Sequence, residues 1–204
     1  MINIIDNTNN GWHGNVIKPV FMKEDEKFIG KAFKVVSKYL RMNDNPTNVI
    51  RRDVVIHNPV VFMLIHDVNN DSYLIEQEYR AGVNSICYGI PAGFIDDNET
   101  PKQAAFRETA EETGIIVNDD NVSMKLVHTC HSSQGFTNET AYVYIIDLHD
   151  YKQVNQKLDD NEHIAYKWIK YDELTDMLHE GLIQGSNAVV AIQSEIIRRM
   201  KNNN

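Results

Sequence analysis

One stretch of the chain dictates its own local structure and crowds negative charge onto it: GFIDDNETPKQAAFRETAEETGI, residues 93–115. Thr100 is a natural N-cap, Pro101 suits the first helical position, and Gln103 completes a capping-box pattern. Gly114 stands where a left-handed C-terminal residue is wanted, so the spacing predicts a helix opening at Pro101 and closing at Gly114. Ala104, Ala105, Phe106 and Ala110 supply helix formers and apolar surface. Glu108, Glu111 and Glu112 fall at i, i+3 and i+4 and share one face. Like charges at this spacing destabilise a helix by roughly 0.2–0.5 kcal/mol per pair, so folding does not call for them. A divalent cation reverses the sign of that interaction, and hard carboxylate oxygens suit magnesium or manganese. Glu99 and Arg107 flank the first two turns and are expected to pair, holding the preceding loop against the helix.

Strand signals lie on both sides of this helix. Asn48 to Asp67 reads as two β-rich runs broken at His57-Asn58-Pro59, because proline cannot donate to a ladder. Asn69-Asn70-Asp71 makes a turn, and Ser72 to Glu78 is the returning strand of a hairpin. Ile86 to Ile90, Val122 to Thr129, Ala141 to Leu148 and Ala165 to Lys170 are further strands. A helix begins near Asp172 with Leu174, Met177 and Leu178 on one face and Gly181 closing it. A last helix runs from about Ser186 to Met200, apolar at Val189, Ile192, Ile196, Ile197 and Met200. Trp12, Val16, Ile17, Val20 and Phe21 hint at strand, and Phe33 to Met42 fits strand or helix. The layout implies α/β: a mixed β-sheet between helices, with a β-rich extension over 1–50 ahead of the main domain at 51–204.

Composition narrows the function classes. The chain has 204 residues and a net charge of −9, which disfavours steering to nucleic acid backbones. An acidic protein meeting a phosphorylated substrate needs a metal or local arginines. A run of about 18 apolar residues is missing and Met1 to Asn10 is polar, so no membrane span or leader is expected. Cys87 and Cys130 are too few for a disulfide framework and read as reduced thiols of a cytoplasmic protein.

An acidic helix face can be merely solvated. The full spacing is more specific: Gly93, five residues, Glu99, seven residues, Arg107-Glu108, two residues, Glu111-Glu112, one residue, Gly114-Ile115. This resembles the Nudix box, with Thr109 where the family usually has an aliphatic residue. EQEYR (Glu76 to Arg80) with IPAG (Ile90 to Gly93) resembles the ADP-sugar pyrophosphatase subgroup, although Glu78 replaces the usual glutamine. The resemblance implies an α/β/α sandwich and metal-dependent hydrolysis of a nucleoside diphosphate sugar, foremost ADP-ribose to AMP and ribose 5-phosphate. Mg2+ or Mn2+ is implied at Glu108, Glu111, Glu112, the Ala92 carbonyl and Glu162. Glu162 or Asp160, in a loop resembling the family's acidic loop, is implied as the base, with Glu111 the alternative. Arg80 is expected on phosphate, Arg52 (of Arg51-Arg52-Asp53) on nucleotide, and Phe136 and Glu139 (of SSQGFTNE) near substrate. Members of this subgroup often build a homodimer from N-terminal strands, and the same is expected here. Another nucleoside diphosphate derivative, or a non-catalytic nucleotide sensor on the same fold, are the competing readings.

Overall fold

A computed structural model of the chain describes residues 16–43, 45, 47–118, 120–160 and 162–202. Trp12 lies outside them. The chain divides into two compact units, residues 1–55 and 56–204.

In the first unit β1 (Val20–Ile29), β2 (Phe33–Arg41) and β3 (Val49–His57, its last two residues belonging to the second unit) form a sheet in that order. Phe33 to Arg41 is therefore strand, and its partner is β1 in antiparallel register, Val20 opposite Arg41 and Ile29 opposite Lys34. Val16 and Ile17 precede the strand rather than extend it.

The second unit is built on a seven-stranded sheet. Its strands are β4 (Val60–Asp67), β5 (Ser72–Arg80), β6 (Ser85–Gly89), β7 (Ala92–Phe94), β9 (Val122–His131), β10 (Thr140–Leu148) and β12 (Ile164–Lys170). The order is β12-β5-β4-β10-β9, with β6 paired to β5 and β7 to β4. β4 and β10 run parallel while their other neighbours are antiparallel, so the sheet is mixed. β8 (Ile115–Ile116) and β11 (Lys152–Gln153) form a separate small pair.

Period-two alternation sends each strand's side chains to two different helical layers. Val61, Met63, Ile65 and Leu74 meet Ala104 and Ala105 of α1 (Pro101–Thr113) on one face. Leu64, Tyr73 and Ile75 meet α2 (Tyr171–His179) and α3 (Ser186–Asn202) on the other, against Leu174, Met177 and Ile192. The second unit is thus an α/β/α sandwich.

α3 keeps part of its expected apolar face, with Val189 and Ile196 packed against the core. Ile192 is buried, but Ile197 and Met200 are 52% and 63% exposed. The face against the sheet is Ala188, Ala191, Ile192 and Glu195, whose small alanines let the backbone come close. Arg198 then clamps Asp147 of β10, its Nη2 donating to Oδ1 at 2.8 Å, while His66 Nδ1 lies 2.8 Å from the same oxygen. Burial raises the Asp147 pKa, but the bonds from His66 and Arg198 outweigh it and hold the group at about 2, below its ordinary 3.8. A depressed folded pKa gives stability that is present above pH 4 and lost as pH falls through 2. The difference corresponds to about 2 kcal/mol. Asp147→Asn is therefore expected to flatten acid unfolding between pH 4 and 2, followed by circular dichroism; an unchanged acid limb would contradict the clamp.

Candidate active site

α1 begins and ends as its residues dictate. Thr100 Oγ1 accepts from Gln103 N at 3.3 Å and Gln103 Oε1 accepts from Thr100 N at 2.9 Å, a complete capping box. Gly114 takes φ 72°, and a Cβ there would stand 1.9 Å from the Val154 carbonyl oxygen. That close approach matters because the segment after β11 runs across the helix end. Val154 N donates to Gly114 O at 2.8 Å, Lys157 N to Glu111 O at 2.8 Å, and Gln153 Nε2 to Thr113 O at 3.0 Å. The Gln156 side-chain amide also donates to the Glu112 carbonyl. The orphan carbonyls of the helix are thereby satisfied, and the same segment leads into the loop carrying Asp160 and Glu162. Thr109, the one unusual residue in the acidic stretch, is fully buried, with its hydroxyl donating to Ala105 O at 2.7 Å.

Arg107 organises the helix's outer face. Its Nε and Nη2 grip both Glu99 oxygens at 3.1 and 2.9 Å, and Nη2 also donates to Phe94 O at 2.8 Å. The expected loop-to-helix ion pair is therefore present. Nη1 donates to Glu108 at 2.7 Å and to Glu111 at 3.0 Å. Glu111 remains the most open of the trio, its side chain 43% exposed. Glu112 turns inward and is 6% exposed, its Oε2 accepting from Ala92 N at 2.9 Å. Glu108 lies against Gly93: a Cβ on that glycine would sit 1.9 Å from the Glu108 Cδ. Gly93→Ala is expected to displace Glu108 and lower kcat about 100-fold, since a 1 Å misplacement can have that effect. Steady-state kinetics beside a thermal melt check this; an unaltered kcat would contradict the assigned packing.

Sequence reasoning missed one member. Leu74, Glu76, Glu78 and Arg80 alternate along β5, and Leu74 packs on the α1 side, so the same face carries the three charged residues towards the acidic helix. Glu76 is 6% exposed and its Oε1 has no hydrogen-bond partner. The signal was in the alternation, where an apolar stripe gives way to charge. Burial, above all, pushes the Glu76 and Glu112 carboxyls upward, and each is raised further by neighbouring carboxylates. Glu108 and Glu78 are raised too, again by burial first. The Glu162 charge is among the smaller causes that raise all four, although the residue is exposed in its loop and its Oε2 accepts from Asp159 N at 3.1 Å. Asp160 is an exposed turn residue of the same loop.

The remaining expected contacts are less committed. Arg80 ends β5, half exposed, and pairs with Glu78 at 2.7 Å. Phe136 is 55% exposed in a turn. Glu139 is already engaged by the Ser132 hydroxyl and lies 3.1 Å from His57 Nδ1. Arg52 lies on β3 in the first unit, exposed, donating to the Arg51 carbonyl at 2.9 Å.

A model of the NUDIX domain matches residues 56–189. The chain belongs to the Nudix family. It is 25% identical over 180 residues to the methanol dehydrogenase activator of Bacillus methanolicus, covering 88% of this chain and 94% of that protein. It is 20% identical over 173 residues to the ADP-ribose pyrophosphatase of Bacillus subtilis (strain 168), covering 83% and 91%. The crystal structure of an ADP compounds hydrolase shares the fold, with a TM-score of 0.71 at 20% identity over 94% of this chain and 98% of that one. The acidic stretch on α1 is thus the box of a Nudix hydrolase.

Among the described residues no three acidic, histidine or cysteine side chains stand together as a finished metal cage. Glu108 and Glu111 each give an oxygen to Arg107, and Glu112 gives one to Ala92. The donor chemistry of this Nudix site nevertheless fits a hard divalent cation. It offers carboxylate oxygens from two elements, a buried one without a partner, and a glycine whose missing Cβ admits Glu108.

Proposed function

We propose that this Nudix protein hydrolyses the pyrophosphate bond of a nucleoside diphosphate sugar, foremost ADP-ribose, giving AMP and ribose 5-phosphate. The observation that carries the reading is the burial of mutually repelling carboxylates at one place, with Glu112 and Glu76 each 6% exposed. Crowding of that kind costs folding energy and is retained where a cation is bound. The names of relatives in the same family support the substrate class.

Glu108, Glu112, Glu111 and the Ala92 carbonyl would hold Mg2+ or Mn2+. When bound, such ions neutralise diphosphate charge and make water acidic enough to deprotonate near neutral pH. Glu162 accepts the proton of the attacking water, being the loop carboxylate whose charge reaches the cluster. Arg80 turns from Glu78 to a phosphate oxygen, and Phe136 offers an exposed ring to a base or ribose. Arg107 fixes the helix against its loop.

The test is a substrate panel of ADP-ribose, other nucleoside diphosphate sugars and dinucleotides, with Mg2+, with Mn2+ and with chelator. Cation-dependent release of AMP and a phosphatase-sensitive sugar phosphate is the expected result. Nucleotide binding without turnover under any condition would favour a sensor and overturn the enzymatic reading.

We further propose a homodimer through the first unit, where Phe21, Met22, Phe28, Ile29 and Phe33 are exposed on one hairpin. A sedimentation mass of one chain at micromolar concentration would contradict it. The two cysteines are free, and no helix among the described residues is long and apolar enough to cross a membrane. A cytoplasmic setting suits the free thiols.

A further inference from the structure

Of the three glutamates buried among the described residues, Glu76 and Glu195 lie on opposite sides of one sheet and are treated differently. Glu195, fully buried, accepts from Tyr73, Arg198 and Arg199. Glu76 is almost as deeply buried, yet its Oε1 has no donor at all. A buried polar atom without a partner calls for a specific explanation, an ion among them.

The surroundings of Glu76 say which kind of partner is missing. Glu78, Glu108, Glu112 and Glu162 all bring negative charge to it. Arg80, the cation on the same strand face, is taken by Glu78 at 2.7 Å. The strand register places Glu76 opposite Gly89 of β6 and Tyr166 of β12, in the interior of the sheet rather than at an edge where water has access. Its neighbours supply oxygens that accept; a cation is the complement they share.

We propose that Glu76 is a further metal ligand of this Nudix site, its Oε1 closing the divalent-cation site from the sheet side, opposite the helix-borne Glu108 and Glu112. The assignment rests on the metal-dependent reading above. It adds a carboxylate that lies outside the acidic helix, on the strand that carries Arg80.

Mn2+ binding to the full chain, by calorimetry and by the electron paramagnetic resonance of free Mn2+, tests it in Glu76→Gln and Glu76→Met. Affinity in both variants is expected to fall at least about 10-fold. Melting in chelator supplies a second readout. Removing an unpaired buried carboxylate raises Tm by about 3 °C or more in the Met variant, while the Mn2+-induced rise shrinks. A carboxylate that merely supports the fold gives the reverse, a lower Tm in chelator with undiminished Mn2+ affinity, and that result overturns the assignment. Wild-type affinity retained in both variants does so as well, and leaves the metal-dependent reading standing. Absence of Mn2+ binding by the wild type would instead overturn that reading, and this assignment with it.

Discussion

Glu112→Gln is expected to lose about 3–4 orders of magnitude in kcat, a barrier increase of about 4–5.5 kcal/mol, with the fold intact. Glutamine keeps the side chain's shape and can still accept the Ala92 N–H that Glu112 accepts at 2.9 Å. What it removes is one formal negative charge from the most enclosed position among Glu108, Glu111 and Glu112, 6% exposed. Glu111, whose side chain is 43% exposed, does not occupy the enclosed position of Glu112. The comparison is made at saturating Mg2+ with ADP-ribose, beside near-ultraviolet circular dichroism to register the fold. Turnover within a few-fold of wild type would remove the site assignment.

Glu195→Ala is expected to destabilise the second unit strongly. Its carboxylate lies in the sheet–α3 layer, accepting from Tyr73 Oη at 2.5 Å, Arg198 Nε at 2.5 Å and Arg199 Nε at 3.1 Å. Burial, aided by the Glu195 charge, also keeps the Tyr73 phenol protonated. Alanine leaves that hydroxyl and two partly buried guanidinium groups short of an acceptor. Breaking a buried ionic group in this way costs about 3–5 kcal/mol. For a unit of this size Tm then falls by about 6–20 °C, read by calorimetry or fluorescence. Glu195→Gln, which retains an acceptor and the volume, is expected to lose much less. Because α3 lies on the face opposite α1, kcat per folded molecule should be unaffected in either variant. A Tm unchanged in Glu195→Ala would show that the network contributes nothing net.

The central helix was legible because its signals are local. Thr100, Pro101, Gln103 and Gly114 act within a few residues of themselves, and the structure uses each as its chemistry directs. The break at Pro59 and the hairpin after Asp67 were readable for the same reason. Side-chain partnerships across the fold were not. Glu195 sits beside the aliphatic stripe of its helix, and its acceptor role depends on Tyr73, more than a hundred residues away. The burial of Glu76 is not legible in its motif because its depth depends on β6 and β12 flanking β5. Arg80 and Phe136 remain half exposed, and nothing in their local sequence sets their final orientation.

The crossing of Val154 to Lys157 over the end of α1 has a mechanical consequence. Amides at Val154 and Lys157 are anchored to carbonyls of Gly114 and Glu111, so this part of the chain is a fixed mooring rather than a free leash. Any swing that carries Glu162 towards or away from a diphosphate must pivot downstream of Lys157. Slow hydrogen exchange at those two amides, beside fast exchange just beyond them, would be the signature of such a short tether.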